Sequence, residues 1–244
     1  MPVGFTIDAA VSARFPALRV HALRARGLRA SLEGLDSAAA LEAAVAGLDK
    51  AAFEAAPLAE HPAVESWREA YGRMAVKPSK FRSSIEALLR RALKGDGLAI
   101  PVPAVNLYNA HSIGGPAPMG AYDVAKLPIK SGAEDIVMRL ADPAADRFAP
   151  LGGEASSFPL NPDLVIYALG NAVLCWGFNS RDSRETALDA ESDDVVFFSE
   201  AVRDDQAAAS AGAIAALRAR LVERGADCSQ IAKAEAAAPR FTLA

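Results

Sequence analysis

The stretch VNLYNAHSIGGPAPMGAYDVAKL, residues 105–127, decides how this chain is read. An apolar segment ends in Asn106, Tyr108, Asn109 and His111, then breaks through Gly114, Gly115, Pro116 and Pro118 before Tyr122 and Asp123. Binding groups are carried disproportionately on loops held by a rigid scaffold, so the break reads as an irregular connection or as a pocket rim. Gly114, Gly115 and Gly120 let the backbone pass close to a ligand or another strand. Asn109 is expected at the pocket, with a turn cap as the alternative. Asp123 is expected to cap a following helix, Asp being a preferred N-cap, with the pocket wall as the alternative.

Upstream, VGFTID reads as a strand, AAVSARF as a short helix and ALRVHALRARGL as a second strand with His21 on its surface. Ala-rich sequence from Ser37 to about Ala56 has helical spacing. A further helix runs from His61 or Pro62 to about Tyr71, with Trp67 and Tyr71 covering the core. In KPSKFRSSIEALLRRALKG, Pro78 and Ser79 mark a helix start and Gly95 its end. Phe81, Ile85, Leu88, Leu89 and Ala92 repeat at helical spacing, and Glu86 is expected to pair with Arg90 on the exposed face. Lys77, Lys80, Arg82, Arg90, Arg91 and Lys94 face one carboxylate in this stretch. They read as a solvated helix face or as a phosphate-contacting surface beside exposed helix-start amides.

Residues 98–102 read as a short strand, with a helix or turn from about Val105. AYDVAKL reads as a short helix, followed by turns and a strand near Asp135–Leu140. PDLVIYALGNAVLCWGFN reads as a hairpin with strands at 164–169 and 172–178 around a Gly-Asn turn. RDSRETAL is a polar loop carrying Arg181, Asp182, Arg184 and Thr186, and DVVFFSEAV is a buried strand. From Asp204 an amphipathic helix follows, acids first and arginines last, in accord with the helix dipole. KAEAAAPRFTLA reads as a tail.

The 244 residues are 52% hydrophobic and 23% charged, which suits one large domain, or one with additions at its ends. The net charge of −4 argues against a general nucleic-acid binder, although a local basic surface fits within an acidic average. Cys175 and Cys228 are far apart and read as reduced thiols of a cytoplasmic protein. No targeting signal or membrane-spanning run is seen. Phosphate-loop, nucleophile-elbow and paired-cysteine motifs are missing, and three dispersed histidines argue against a metal site. No cofactor is expected.

VNLYN…GGPAPMGAYDVAKL resembles the VD-x-TN…GQPMHAFD-x-x-KL signature of the phenylalanyl-tRNA synthetase β chain, in its editing and tRNA-binding domain. KPSKFRSSIEALLRRALKG and LCWGFNSRDSRETAL resemble freestanding proteins built from that domain alone, and the resemblance spans about residues 67–200. It implies an α+β domain with mixed or antiparallel sheet around a pocket, flanked by N-terminal helices and a C-terminal helix. Residues 1–60 would be an extension completing the core, 61–203 the tRNA-binding or editing-like domain, and 204–244 a C-terminal helix and tail. Without a synthetase core the chain is not expected to charge tRNA.

The family's Thr-Asn pair falls on Tyr108–Asn109 and its pocket histidine on Gly120, so tyrosyl editing as in the synthetase is not expected. The implied function is binding of tRNA or aminoacyl-tRNA, with hydrolysis of mischarged esters. Asn109, Asn179 and Arg181 would be donors, and Asp182 or His111 would orient water. Tyr108, Gly120, Asp123 and Trp176 would line the substrate pocket, and Lys77, Lys80, Arg82 and Arg91 would hold RNA. The alternatives are a non-catalytic RNA-binding module and a pocket for a small molecule or amino acid.

Overall fold

The protein is described by a computed structural model over residues 1–54, 56–129 and 135–244. The elements run β1 (Val3–Ile7), α1 (Ala9–Arg14), β2 (Arg19–Arg26), α2 (Leu28–Leu32), α3 (Ser37–Ala46), α4 (Lys50–Glu54), α5 (Pro62–Arg73), α6 (Ser84–Lys94) and α7 (Pro103–Gly114). There follow β3 (Met119–Asp123), β4 (Asp135–Leu140), β5 (Arg147–Phe148), β6 (Val165–Leu169), β7 (Ala172–Trp176), β8 (Arg181–Asp182) and β9 (Val195–Ala201). The chain closes with α8 (Ala207–Glu223), β10 (Asp227–Cys228), β11 (Ala232–Glu235) and β12 (Arg240–Leu243). This is an α+β architecture with two sheets.

The first sheet has the order β12-β1-β4-β6-β7-β5, with β8 also on β7; the second has the order β10-β2-β9-β3, with β11 also on β2. The β1–β4 and β5–β7 pairs are parallel and the others antiparallel.

Strand alternation decides what each face buries, because successive side chains point to opposite sides. On β9, Val196 and Phe198 face the first sheet, whereas Val195 and Phe197 pack with Ile214, Leu217 and Leu221 of α8. Between the sheets, Phe5, Tyr122, Tyr167 and Phe198 form one ring cluster, with centroids 5.4–6.0 Å apart in five pairs. These spacings and tilts are those that aromatic quadrupoles favour.

Several sequence expectations are revised. Helix α6 begins at Ser84 rather than at Pro78–Ser79, and Ser83 is its cap, accepting from Glu86 N at 3.3 Å. Glu86 does not pair with Arg90 on the surface. It is buried and meets Arg68 at 2.9 Å, because position 86 lies on the inner side of the helix start. Residues 98–102 form no strand; Asn106 instead clips this loop, accepting from Ile100 N and donating to Ile100 O.

Of AYDVAKL, Ala121–Asp123 belongs to β3, since pairing with β9 outweighs its local pattern, and the expected short helix is confined to one 3-10 turn at Val124–Lys126. The expected tail contributes β11 and β12, which join β2 and β1. The N-terminal strands are likewise internal, β1 lying between β12 and β4 and β2 beside β9. His21, expected on a strand surface, is buried and bonds Ser210 Oγ at 3.0 Å. The helical expectation over 37–56 divides into α3 and α4, with residue 55 outside the described residues.

Candidate functional site

At one end of the inter-sheet core the apolar packing gives way to a polar cleft. Its walls include Gly120 and Tyr122 of β3, Cys175 of β7, Asp182 of β8 and Glu200 of β9. Asn179 enters from the turn after β7, and Ser84 from the first turn of α6. That turn after β7 holds two consecutive left-handed residues, Gly177 at φ +64° and Phe178 at φ +59°. A left-handed phenylalanine is strained, and such strain persists only where the surroundings hold it. Here Phe178 is buried edge-on against Phe15 and Trp67, which aims Asn179 inward.

Glu200 is 4% exposed and sits on the same strand face as Val196 and Phe198. Its Oε1 accepts from Tyr167 Oη at 2.5 Å and its Oε2 from Asn179 Nδ2 at 3.2 Å. Asn179 Oδ1 in turn accepts from Ser84 N at 3.3 Å, and Tyr71 Oη donates to Gly177 O at 2.9 Å. The chain of bonds ties the carboxylate to the N-terminus of an eleven-residue helix, the end that favours negative charge. Burial nevertheless pushes the Glu200 carboxyl up to about 7, offset by the two donors and reinforced by Asp182. Asp182 is also raised, first by burial, and stands across from Cys175 on the neighbouring strand. The Cys175 thiol is pushed well up by burial and is therefore neutral, a poor nucleophile.

The elevated Glu200 carboxyl carries a stability consequence. The folded chain holds this proton between the ordinary value of 4.5 and about 7, so folding takes up a proton in that window. Stability is then fully present below pH 4.5 and lost as pH rises through 7, by roughly 3 kcal/mol for this group. Glu200→Gln should flatten the decline in unfolding midpoint between pH 5 and pH 8. An unchanged decline in the variant would assign it elsewhere.

The residues singled out from sequence are dispersed around this cleft. Asn179, Asp182 and Gly120 line it. Asn109 and His111 lie on helix α7 rather than on a loop, outside the cleft lining, and His111 Nε2 is buried without a partner among the described residues. Burial and then Arg220 keep the His111 imidazole neutral. Tyr108 lies on α7 with its ring against Phe197, on the α8 side of the second sheet. Arg181 points away, over the Phe158 ring and onto Leu151 O at 3.1 Å.

Trp176 is core: its Nε1 donates to Pro159 O and its ring meets Phe81 and Phe158. Asp123 caps the turn after β3, its Oδ1 accepting from Ala125 N, while Oδ2 accepts from Ser192 Oγ. Among the cations, Lys77, Lys80 and Arg91 are exposed. Arg82 is held by Ser79 O at 3.2 Å and lies 3.6 Å from Glu86.

Glu200, Ser84 and Tyr167 were missed from sequence. A signal for Glu200 was present in VVFFSEA, where the acid shares strand parity with Val196 and Phe198. An acid on the core-facing side of a strand demands partners. No group of three His, Cys, Asp or Glu residues suited to a metal occurs among the described residues. No helix among them is long and apolar enough to cross a membrane.

Two packed sheets closing on a buried acidic cleft, with a helix start beneath it, define an α+β protein whose polar chemistry is held between its sheets. A family profile for the B3/4 domain matches residues 66–241, and the chain belongs to that family, the domain found in the phenylalanyl-tRNA synthetase β chain. No curated protein sequence matches the chain significantly.

Proposed function

We propose that this protein binds aminoacyl-tRNA and hydrolyses the ester of mischarged species in the cleft between its sheets. The observation that carries the reading is Glu200: a buried carboxylate poised near neutrality by burial and held by Tyr167 and Asn179. A general base is most effective when its pKa lies near the working pH. Perturbed carboxyls in a cleft are also a recurrent mark of functional sites.

In this reading Glu200 takes a proton from water as the water oxygen attacks the ester carbonyl. The carbonyl–ribose C–O bond then breaks, the ribose oxygen leaves as a hydroxyl by taking that proton, and the amino acid is released. The Ser84 hydroxyl, which has no partner among the described residues, and the start of α6 face the developing oxyanion. Lys77 and Lys80 are exposed and precede α6 in the chain, and in this reading they hold the acceptor stem.

A panel of aminoacyl-tRNAs, cognate and mischarged, incubated with the purified protein at low salt tests this reading. Turnover should rise with pH and level off above about 7, as Glu200 loses its proton. A second reading, RNA binding without chemistry, is favoured by the exposed cations alone. It gains if the whole panel stays intact while tRNA is retained in a gel shift.

For either reading, Lys77→Glu with Lys80→Glu should weaken tRNA binding at least tenfold. It should also reduce the salt slope by about 1 for each phosphate that is no longer neutralised. Affinity unchanged across salt would remove these lysines from the interface.

A further inference from the structure

The cleft is small and chemically one-sided, and both properties bear on what it accepts. The cavity volume is about 20 Å³, room for about one or two waters or an equally small group. Phe198, Phe178 and Met119 wall it, all buried. What space there is depends on Gly120. A Cβ built there meets nothing within 4 Å, and strand parity with Tyr122 directs it into the cleft.

The polar lining is rich in acceptors: both carboxylates, Glu200 and Asp182, and the amide oxygen of Asn179. No Lys, Arg or His among the described residues lines it. Independently of the acids, the Ser84 hydroxyl oxygen is buried at the cleft without a hydrogen-bond partner among the described residues. Such a group is costly to leave unmade and marks a place where a ligand atom would complete the bonding.

We infer that the cleft takes the α-ammonium group and a small side chain of an aminoacyl ester, of glycyl, alanyl or seryl size, and excludes aromatic and large aliphatic ones. The inference rests on the hydrolase reading above and narrows it. The ammonium donates to Asp182, the cleft carboxylate that the hydrolase reading does not use as the base and that no cation within the cleft neutralises. The side chain occupies the space over Gly120, where a hydroxyl would reach Ser84. A phenol ring needs more room than a site for one or two waters offers, and admitting it would require the buried Phe198 or Phe178 wall to move.

The experiment compares glycyl-, alanyl- and seryl-tRNA with leucyl-, phenylalanyl- and tyrosyl-tRNA, using the intact wild-type chain and a Gly120→Ala variant. The variant should fold, since the added methyl meets nothing, and a thermal melt verifies that. Wild type should turn over the small esters at least tenfold faster than the large ones. Gly120→Ala should lower alanyl and seryl turnover by about 10-fold or more relative to glycyl turnover, one methyl group in a tight pocket being worth about 10- to 200-fold.

Preferential hydrolysis of a tyrosyl, phenylalanyl or leucyl ester would overturn this inference and leave the hydrolase reading standing. Equal loss on all three small esters in a folded Gly120→Ala variant would also overturn it. Hydrolysis of no ester in the panel would overturn the hydrolase reading, and the inference with it.

Discussion

Glu200→Gln is expected to slow ester hydrolysis by about 10²–10⁴-fold, the usual contribution of a positioned general base. Glutamine keeps the length and volume of the side chain and removes the ability to take a proton, at the cost of the bond that Asn179 Nδ2 donates to the second oxygen. Tyr167 Oη still has an oxygen to donate to, so the partner bonded at 2.5 Å is not orphaned. Binding of aminoacyl-tRNA should change little, and the rise of rate with pH up to about 7 should disappear from the residual activity. Single-turnover rates across pH 5.5–8.5 measure both. A variant that retains wild-type rate and profile would show that Glu200 is a buried structural acid. The base would then have to be sought at Asp182, the other raised carboxyl of the cleft.

Asp194→Ala carries the largest expected loss of stability, about 3 kcal/mol, the lower end for a broken buried pair because the Asp194 side chain is itself 32% exposed. The Arg24 side chain lies within the second sheet at 1% exposure, where Nε and Nη2 grip Asp194 at 2.8 and 2.6 Å. Its Nη1 donates to Met1 O at 2.6 Å. Removing Asp194 leaves a buried guanidinium with one carbonyl partner, and a buried unpaired charge costs far more than the pair is worth. Urea unfolding gives the number. The double variant Arg24→Met with Asp194→Leu should recover most of the loss, because it removes the charge together with its partner. A single-variant loss below about 1 kcal/mol would mean that Arg24 finds water or another acceptor when the pair is broken.

Local signals in the sequence located most helices and the central hairpin. Gly95, at φ +78°, ends α6 where a left-handed residue was expected, and Gly170, at φ +56°, turns β6 into β7. Trp67 and Tyr71, four apart, are both buried, as helical spacing requires. What local pattern misread were segments whose state depends on a distant partner. MGAYD is β3 because β9 pairs with it, and KAEAAAPRFTLA supplies strands because β1 and β2 offer hydrogen-bonding edges. Asp123 could be read correctly because capping is a bond to a residue two positions away.

The sequence by itself therefore determined the membership, the α+β class, the β6–β7 turn, the Gly95 stop and the Asp123 cap, all of which rest on bonds within a few residues or on ordered motifs. The tertiary structure alone decided the cleft. Glu200, Tyr167, Asn179 and Ser84 are separated by up to 116 positions, 84 to 200, and meet only when the two sheets close. Their chemistry comes from that closure, because burial between the sheets raises the Glu200 carboxyl to about 7, and no local pattern encodes burial by a distant strand.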